Sequence, residues 1–241
     1  MKTQLSIALV TGANRGIGRA FVEALLERGV NRVYAAARKL TDLEPVVAID
    51  RKRVLPLKID ITSLAEINAA AEKACDVNLL INNAGIADFG SLLDAPGESI
   101  RRNMETNYFG TLHAIRSFAP VIEKNGGGAI VNLLTIVALA SMPGLGVYNA
   151  SKAAAWSMTQ SLRADLRKRK IRVYGVFPGP VDTDMIRGVD MPKTSATDVA
   201  RAVLSGIENG DEDIFPDPMA KQMYAAWKQD HKAVERQFGS M

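Results

Sequence analysis

The segment that decides the fold is Ile7-Ala8-Leu9-Val10-Thr11-Gly12-Ala13-Asn14-Arg15-Gly16-Ile17-Gly18. It begins with a short apolar run that ends close to a glycine, which predicts a buried β-strand. From Gly18 to Arg28 apolar residues recur at helical spacing, and Gly29 predicts the end of this helix. Glycines between strand and helix allow a tight turn and let a phosphate approach the unpaired N–H groups of the helix N-terminus. The segment therefore predicts a strand–turn–helix unit that binds a dinucleotide.

The spacing of these glycines is G-x-x-x-G-x-G, which differs from the commoner dehydrogenase pattern G-x-G-x-x-G. A turn with no role beyond the fold is the alternative interpretation. The position of the glycines after a first strand and before a helix favours the cofactor site, because this is the context that such a motif needs.

Strands and helices are predicted to alternate along the rest of the chain. The predicted strands are Val33 to Ala37, Val54 to Ile59, Asn78 to Ile81, Ala129 to Leu134, Ile171 to Phe177 and a short one at 213–215. The predicted helices run from a cap at Ser63 to about Ala74, from about Gly97 to Lys124, and over 148–169, 195–208 and about 219–236. This order indicates an α/β fold over residues 1–241, a single domain with a doubly wound, Rossmann-like parallel sheet and helices on both faces.

Composition narrows the class of protein. The chain has 241 residues, 47% of them hydrophobic and 23% charged, with a formal net charge of +4. No apolar run reaches the roughly 18 to 20 residues that cross a bilayer, and the N-terminus moves directly into a strand, so we expect neither a membrane segment nor a signal peptide. The single Cys75 fits a reducing compartment, and we expect a cytoplasmic protein. The basic cluster at 167–170 falls at a predicted helix end, where cations complement the helix dipole, so we expect no nucleic-acid partner; we also predict no metal site.

The second strand bears on the choice of cofactor. NAD enzymes usually place an acidic residue about 20 residues after the glycines, to bind the ribose 2′-hydroxyl. Here the region reads Ala35-Ala36-Ala37-Arg38-Lys39, without a carboxylate. Arg38 can pair with a 2′-phosphate instead, and Arg15 in the glycine turn offers a second cation. The sequence therefore predicts NADP; a solvated strand end is the alternative for Arg38.

Tyr148 and Lys152 are four residues apart on a predicted helix and therefore share one face. A phenol beside an ammonium is an acid whose anion is stabilised by the neighbouring cation, so we expect Lys152, together with the positive charge of the oxidised nicotinamide, to lower the pKa of Tyr148. Together with a dinucleotide site, the pair indicates the transfer of a hydride and a proton to a carbonyl group.

In these motifs and their order, the chain resembles the short-chain dehydrogenase/reductase family, from residue 5 to about 190. The motifs that carry the resemblance are Thr11-Gly12-x-x-x-Gly16-x-Gly18, Asp60 after the third strand, Asn82-Asn83-Ala84-Gly85, Tyr148-x-x-x-Lys152 and Pro178-Gly179-Pro180-Val181-Asp182-Thr183.

The resemblance implies how the cofactor is held. The glycine turn would hold the pyrophosphate, residues 60–61 the adenine, residues 83–85 the adenine ribose, and residues 178–183 the nicotinamide, while Lys152 would bond the nicotinamide ribose. The implied cofactor-binding residues are Gly12, Asn14, Arg15, Gly16, Ile17, Gly18, Arg38, Asp60, Ile61, Asn83, Ala84, Gly85, Tyr148, Lys152, Pro178, Gly179, Val181 and Thr183.

The same resemblance implies a catalytic group of Asn107, Thr135, Tyr148 and Lys152. Tyr148 would donate its proton to the carbonyl oxygen, assisted by Lys152, and Asn107 would hold a water that connects Lys152 to solvent. The family usually has Ser thirteen residues before the Tyr, but this chain has Thr135. Threonine keeps the hydroxyl that polarises the substrate, and its methyl group restricts the rotamer and narrows the pocket.

The substrate and the assembly are less constrained. The loops that would cover the substrate, including one at about 182–194, carry apolar side chains and little fixed charge, which favours a neutral, hydrophobic ketone or aldehyde. These side chains are Phe89, Leu139, Met142, Leu145, Met185, Ile186 and Met191. The resemblance implies a homodimer through helices 97–124 and 148–169, with a tetramer as the alternative. Two further functions stay open: a protein that binds NADP(H) as a signal, and a reductase of imines or enones.

Overall fold

Parallel strands form the centre of the molecule. In the computed structural model, which describes residues 2–241, seven of them make one sheet in the order β3-β2-β1-β4-β5-β6-β9, and two short strands form a separate pair. The strands are β1 (Ile7–Thr11), β2 (Arg32–Ala37), β3 (Val54–Lys58), β4 (Leu79–Asn82), β5 (Gly128–Leu133), β6 (Ile171–Val176), β7 (Val181–Asp182), β8 (Thr194–Ser195) and β9 (Asp213–Ile214). The predicted strands of the sheet are confirmed, with ends that differ by one residue.

Helices cover both faces of this sheet. They are α1 (Gly16–Glu27), α2 (Glu44–Val47), α3 (Leu64–Lys73), α4 (Gly97–Met104), α5 (Thr111–Lys124), α6 (Gly146–Arg167), α7 (Ala196–Asn209), α8 (Pro218–Gln229) and α9 (His231–Gly239). One buried apolar cluster joins the sheet to α3, α5, α6 and the C-terminal helices, and the other joins it to α1, α2 and α7. The prediction of a single Rossmann-like domain is therefore confirmed.

The strand order places a crevice at the carboxyl ends of β1 and β4. Strand β1 pairs with β2 on one side and with β4 on the other, and both pairings are parallel. The connection that follows β1 therefore leads to one side of the sheet, and the chain later returns to the other side. At such a reversal the loops after the two strands separate, which is where open α/β sheets bind ligands.

The predicted long helix over about 97–124 is interrupted. It consists of α4, a π-helical turn at Glu105–Gly110, and α5. At the end of this turn Gly110 lies against Ile61: a Cβ on residue 110 would be 2.8 Å from the Ile61 carbonyl oxygen. The change of hydrogen-bond register thus occurs where the helix meets the loop after β3, and π-turns are often found at functional sites.

The predicted single terminal helix over about 219–236 is wrong, because the structure has two helices there. Asp230 separates them with an extended backbone (φ −151°, ψ 90°), and its side chain accepts a hydrogen bond of 2.9 Å from the Ala233 N–H. Asp is a favoured N-cap residue. Asp230 is therefore both the residue that follows α8 and the N-cap of α9. None of the helices in the described part of the chain is long and apolar enough to cross a bilayer.

Replacing Gly18 by alanine tests the packing of α1 against the sheet. A Cβ at this position would lie 2.1 Å from the Gly12 carbonyl oxygen and 2.6 Å from Asn83 Nδ2, so the backbone must move. We expect Gly18→Ala to lower the free energy of unfolding by roughly 1–3 kcal/mol, the usual cost of overpacking. Urea denaturation measures this change.

Gly97→Ala is the matched control. Gly97 is exposed at the start of α4. The atom nearest to a Cβ on residue 97 would be Nη1 of the flexible Arg101 side chain, at 3.5 Å. Alanine has the higher helix propensity, so this variant should be as stable as the wild type or slightly more stable. Equal urea midpoints for Gly18→Ala and the wild type would contradict the packing described.

Candidate active site

The glycine turn between β1 and α1 forms one wall of the crevice. Gly12 and Gly16 have positive φ angles of 63° and 54°, which glycine adopts without strain. Gly12 also lies against the loop after β4, since a Cβ there would be 3.0 Å from the Ala84 Cα atom. The turn thus needs glycine both for its conformation and for its closeness to the neighbouring loop.

Hydrogen bonds fasten this turn to the loop after β4. The Thr11 hydroxyl accepts from the backbone N–H groups of Asn83 (3.0 Å) and Ala84 (3.1 Å). In return, the Asn83 side-chain amide donates to the carbonyl oxygens of Thr11 (3.0 Å) and Gly12 (3.1 Å). The two loops that border the crevice are therefore held as one unit, and the side chain of Asn83 acts on the protein backbone.

The N-terminus of α1 is available to an anion. Arg15 is its N-cap residue, and its side chain makes no capping hydrogen bond. The unpaired N–H groups and the helix dipole together favour a phosphate at this place, and the glycines leave room for it. Asn14 and Ile17, also predicted to bind cofactor, are partly exposed in this turn.

Arg15 has a partner other than the one expected. Its guanidinium forms an ion pair of 2.8 Å with Asp184, which is also paired with Arg187. These cations lower the pKa of Asp184, chiefly through the hydrogen bond from Arg15. Arg15 therefore links the glycine turn to the loop after β7. Gly16 lies close to the same loop, since a Cβ on residue 16 would be 3.2 Å from Thr183 Cγ2.

Arg38, Asp60 and Ile61 mark the far end of the crevice. Arg38 is exposed directly after β2, and Ile61 is buried. Partial burial raises the pKa of the Asp60 carboxyl, but hydrogen bonds from Thr62 and the charges of Arg38 and Lys58 outweigh it and the pKa is lowered. Arg38 is thus close enough to Asp60 to act on its charge, and the structure brings these predicted residues together.

Gly85, Asn107 and Lys152 meet deeper in the crevice. A Cβ on residue 85 would be 2.9 Å from Asn107 Oδ1 and 3.5 Å from Lys152 Nζ. The Asn107 side-chain amide makes three hydrogen bonds within the protein, each of 2.9 Å. Its Oδ1 accepts from the Ile86 N–H, and its Nδ2 donates to the Ile86 carbonyl and to Ser151 Oγ. Asn107 therefore fixes the loop after β4 against α6.

Tyr148 and Lys152 lie on one face of α6, as predicted. Lys152 is buried and donates a hydrogen bond of 2.7 Å to the Leu133 carbonyl at the end of β5. Its ammonium nitrogen is 5.8 Å from the centroid of the Tyr148 ring. Thr135 lies just after β5, where its hydroxyl is close enough to Tyr148 to act on the pKa of the phenol. Its hydrogen bonds in the structure are with the Pro178 carbonyl (3.5 Å) and the Val137 N–H (3.4 Å).

The pKa values of this pair move in the directions that burial dictates. Desolvation raises the pKa of Tyr148 to about 12, although the Thr135 hydroxyl acts to lower it. Desolvation also lowers the pKa of Lys152 to about 8. By itself the buried pair does not have the lowered Tyr148 pKa that the sequence predicts with an oxidised nicotinamide beside it, because removal from water disfavours the phenolate.

The loop after β6 completes the crevice. The Pro178 carbonyl accepts a hydrogen bond of 3.1 Å from the Ile136 N–H, and Thr135 Oγ1 lies 3.5 Å from the same oxygen. On the other side of this peptide, the Gly179 N–H donates to Asp217 Oδ2 at 2.8 Å. Val181 is buried in β7, and Thr183 lies beside the glycine turn.

Some residues with a part in the site were missed by sequence reasoning. Thr11 and Ser151 were visible inside the quoted motifs, but their hydrogen bonds depend on loops that are distant in sequence. Asp217 has a local signal, since it stands between two prolines before a helix, but that signal indicates only an N-cap.

Comparisons with known proteins agree with this geometry. The family model for short chain dehydrogenases matches residues 6–193. A short chain dehydrogenase from Burkholderia cenocepacia J2315, solved in complex with NADP, has a TM-score of 0.92 and 40% identity, with 99% of each chain covered. A relative from Burkholderia phymatum, solved in complex with NAD, has a TM-score of 0.88 and 26% identity, covering 100% of this chain and 98% of that one.

A sorbitol dehydrogenase from Cereibacter sphaeroides is 33% identical over 195 residues, which cover 79% of this chain and 76% of the relative. The family match spans the glycine turn, the loop after β4, the helix with Tyr148 and Lys152, and the loop after β6, which are the parts that border the crevice. The chain therefore belongs to the short-chain dehydrogenase/reductase family and is an oxidoreductase.

Proposed function

We propose that this protein is an NADPH-dependent reductase that transfers a hydride to the carbonyl group of a neutral, hydrophobic ketone or aldehyde, and that the reaction can run in reverse as an alcohol oxidation. The observation that carries the proposal is that Tyr148 and Lys152 share one face of α6, with Lys152 Nζ 5.8 Å from the Tyr148 ring centroid and the Thr135 hydroxyl close enough to act on the pKa of the phenol. All three groups lie beside a crevice whose walls fit a dinucleotide.

The fit of NADP(H) rests on the walls of the crevice. Gly12, Gly16 and Gly18 leave this turn without side chains at three positions, and a Cβ on Gly12 would be 3.0 Å from the Ala84 Cα atom. At the other end Arg38 follows β2, where NAD-binding relatives usually have an acidic residue. The positive charge of Arg38 favours a 2′-phosphate. When bound, the cofactor would supply the hydride.

Tyr148 is suited to act as the acid in reduction. With a pKa of about 12 it keeps its proton at neutral pH and can donate it to the carbonyl oxygen as the negative charge develops there. The phenolate that remains is stabilised by Thr135, and by any cation that comes close. The reverse reaction needs Tyr148 without its proton, so a neighbouring positive charge matters more in that direction.

Thr135 and Lys152 support this proton transfer in different ways. The Thr135 hydroxyl can donate a hydrogen bond to the substrate oxygen and orient it toward Tyr148. Lys152 has a pKa of about 8, so near neutral pH it can lose and regain a proton, which suits a group that returns protons to Tyr148. Asn107 holds the Ile86 backbone beside Lys152 and thereby supports this group by position.

The preference for an apolar substrate rests on the surroundings of Tyr148. Leu139, Met142 and Leu145 are partly buried and pack on the same apolar cluster as Tyr148. Phe89 and Met185 are exposed, at 57% and 44%, on the loops that would cover a substrate. An apolar wall with exposed apolar side chains at its mouth favours a neutral molecule over an anion.

The partner that we propose is a second copy of the chain, which would pack along α5 and α6. A surface groove lies between these helices, lined by Tyr108, Leu112, Met158 and Leu162 among others. Phe109 beside it is 41% exposed. A closed dimer would cover these apolar groups from both copies, since a two-fold axis uses the same surface twice.

Replacing Tyr148 by phenylalanine tests the reaction. We expect Tyr148→Phe to lower kcat for NADPH-dependent reduction of aryl and cyclic ketones by about 100-fold to 10,000-fold, because general acid catalysis contributes that much. NADPH binding, measured by fluorescence, should stay within a few-fold of the wild type. Loss of NADPH absorbance measures turnover.

The matched control is Tyr224→Phe, which removes a phenol hydroxyl from α8 and keeps the ring that stacks on Phe215. Its turnover should equal that of the wild type. Wild-type turnover in Tyr148→Phe would contradict the mechanism. NADPH binding by the wild type, with no consumption against any ketone, aldehyde, imine or enone, would instead support a protein that binds NADP(H) as a signal.

Arg38→Ala tests the choice of cofactor. We expect this change to lower kcat/KM for NADPH by about 10-fold to 100-fold, because it removes charge-assisted hydrogen bonds to the 2′-phosphate. The value for NADH should change little. Steady-state kinetics with each cofactor at a fixed ketone concentration measures both.

Lys39→Ala is the control, since Lys39 is the exposed cation next to Arg38 and is not assigned a contact with the cofactor. It should leave the ratio of the two kcat/KM values unchanged. A wild-type preference for NADH, or an equal loss for both cofactors in Arg38→Ala, would overturn the assignment of the 2′-phosphate to Arg38.

A further inference from the structure

We infer that Asp217 is a positioning residue of the active site, which fixes the Pro178–Gly179 peptide and thereby orients the loop that receives the nicotinamide end of the cofactor. The functional part of this inference rests on the proposed use of NADP(H). Asp217 itself touches neither the substrate nor the reacting atoms and acts through the peptide that it holds.

The carboxylate of Asp217 is buried and serves two elements at once. It is 1% exposed, and Oδ2 accepts a hydrogen bond of 2.8 Å from the Gly179 N–H. Oδ1 accepts one of 2.9 Å from the Ala220 N–H at the start of α8. Among residues 2–241, it has no ion-pair partner within 4.0 Å. A buried carboxylate is costly unless it is hydrogen-bonded, so these two N–H groups are what stabilise it.

The same peptide unit reaches the catalytic group from its other end. Its carbonyl, that of Pro178, accepts from the Ile136 N–H at 3.1 Å and lies 3.5 Å from Thr135 Oγ1. One peptide plane therefore connects the C-terminal region on one side with Thr135 on the other. If the Gly179 N–H loses its acceptor, this plane is held only at its carbonyl end, so the orientation of the loop after β6 and the surroundings of the Thr135 hydroxyl become less fixed.

The space around Gly179 shows how closely the two parts meet. A Cβ at position 179 would lie 2.9 Å from Asp217 Oδ1 and 3.5 Å from the Cβ of Met219. Stacked rings support the contact next to it: Phe177 and Phe215 have centroids 5.0 Å apart at an angle of 15°. The C-terminal region is therefore packed directly on the residues that lead into the loop.

Asp217→Asn distinguishes the two hydrogen bonds of this side chain, the one to the Gly179 N–H and the one to the Ala220 N–H. Asn is as good an N-cap as Asp, so its oxygen can keep the bond to the Ala220 N–H. Its Nδ2 group is a donor and would then face the Gly179 N–H, which is also a donor. The variant should keep α8 and lose the loop contact. Asp230→Asn, which changes the exposed N-cap of α9, is the matched control.

Two measurements test the inference. By hydrogen–deuterium exchange, we expect the Gly179 amide to be protected in the wild type, and the segment 178–183 to exchange about tenfold faster in Asp217→Asn but not in Asp230→Asn. By titration, we expect Asp217→Asn to weaken NADPH binding about tenfold. Its affinity for 2′,5′-ADP should stay within about twofold of the wild type, because that fragment lacks the nicotinamide end.

An unprotected Gly179 amide in the wild type overturns the inference without any variant, as does unchanged exchange in Asp217→Asn. Equal weakening of NADPH and 2′,5′-ADP also overturns it, because that pattern indicates a general loss of structure. A wild type that binds neither ligand means that the proposed function fails, and the exchange comparison then decides on the role of Asp217 by itself.

Discussion

The site depends on the close contact between the glycine turn after β1 and the loop after β4. Helix α1 can begin where it does only because residue 18 has no side chain, since a Cβ there would be 2.1 Å from the Gly12 carbonyl oxygen. The Thr11 hydroxyl and the Asn83 amide then join the two loops by reciprocal hydrogen bonds. With that contact in place, the N-terminus of α1 faces the crevice where the sheet order reverses, and a dinucleotide can lie across it.

Burial sets the protonation behaviour of Tyr148 and Lys152. It raises the pKa of Tyr148 and lowers the pKa of Lys152, so the protein holds both side chains closer to their neutral forms than water would. The Thr135 hydroxyl favours the phenolate, and it is therefore the group that offsets part of the cost of forming that anion.

The sequence was sufficient for the features that local patterns determine. The strand–turn–helix at the N-terminus, the alternation of strands and helices, and the shared face of Tyr148 and Lys152 follow from periodicity and spacing. The π-turn before Thr111 does not, because it depends on the contact of Gly110 with Ile61, about 50 residues earlier in the chain. The break at Asp230 was missed because one capping residue has a weaker signal than the helical pattern on either side.

Side-chain partners across the crevice were the least predictable part. Arg15 was expected beside Arg38, but it pairs with Asp184 in the loop after β7, and only the tertiary arrangement brings these residues together. The role of Asp217 is similar, since its local pattern predicts the cap of α8 but not the bond to Gly179. In both cases the fold was predictable, while the connections that stiffen the loops of the site required the structure.

The most direct test of the central claim follows the hydride itself. NADPH that carries deuterium in both C4 positions of the nicotinamide is incubated in ordinary water with the protein and a neutral aryl ketone, and the alcohol is analysed by mass spectrometry and NMR. The account predicts one deuterium on the carbinol carbon of the product, because the hydride comes from the cofactor and the proton from Tyr148. Consumption of NADPH with no alcohol formed, or with an unlabelled alcohol, would contradict it.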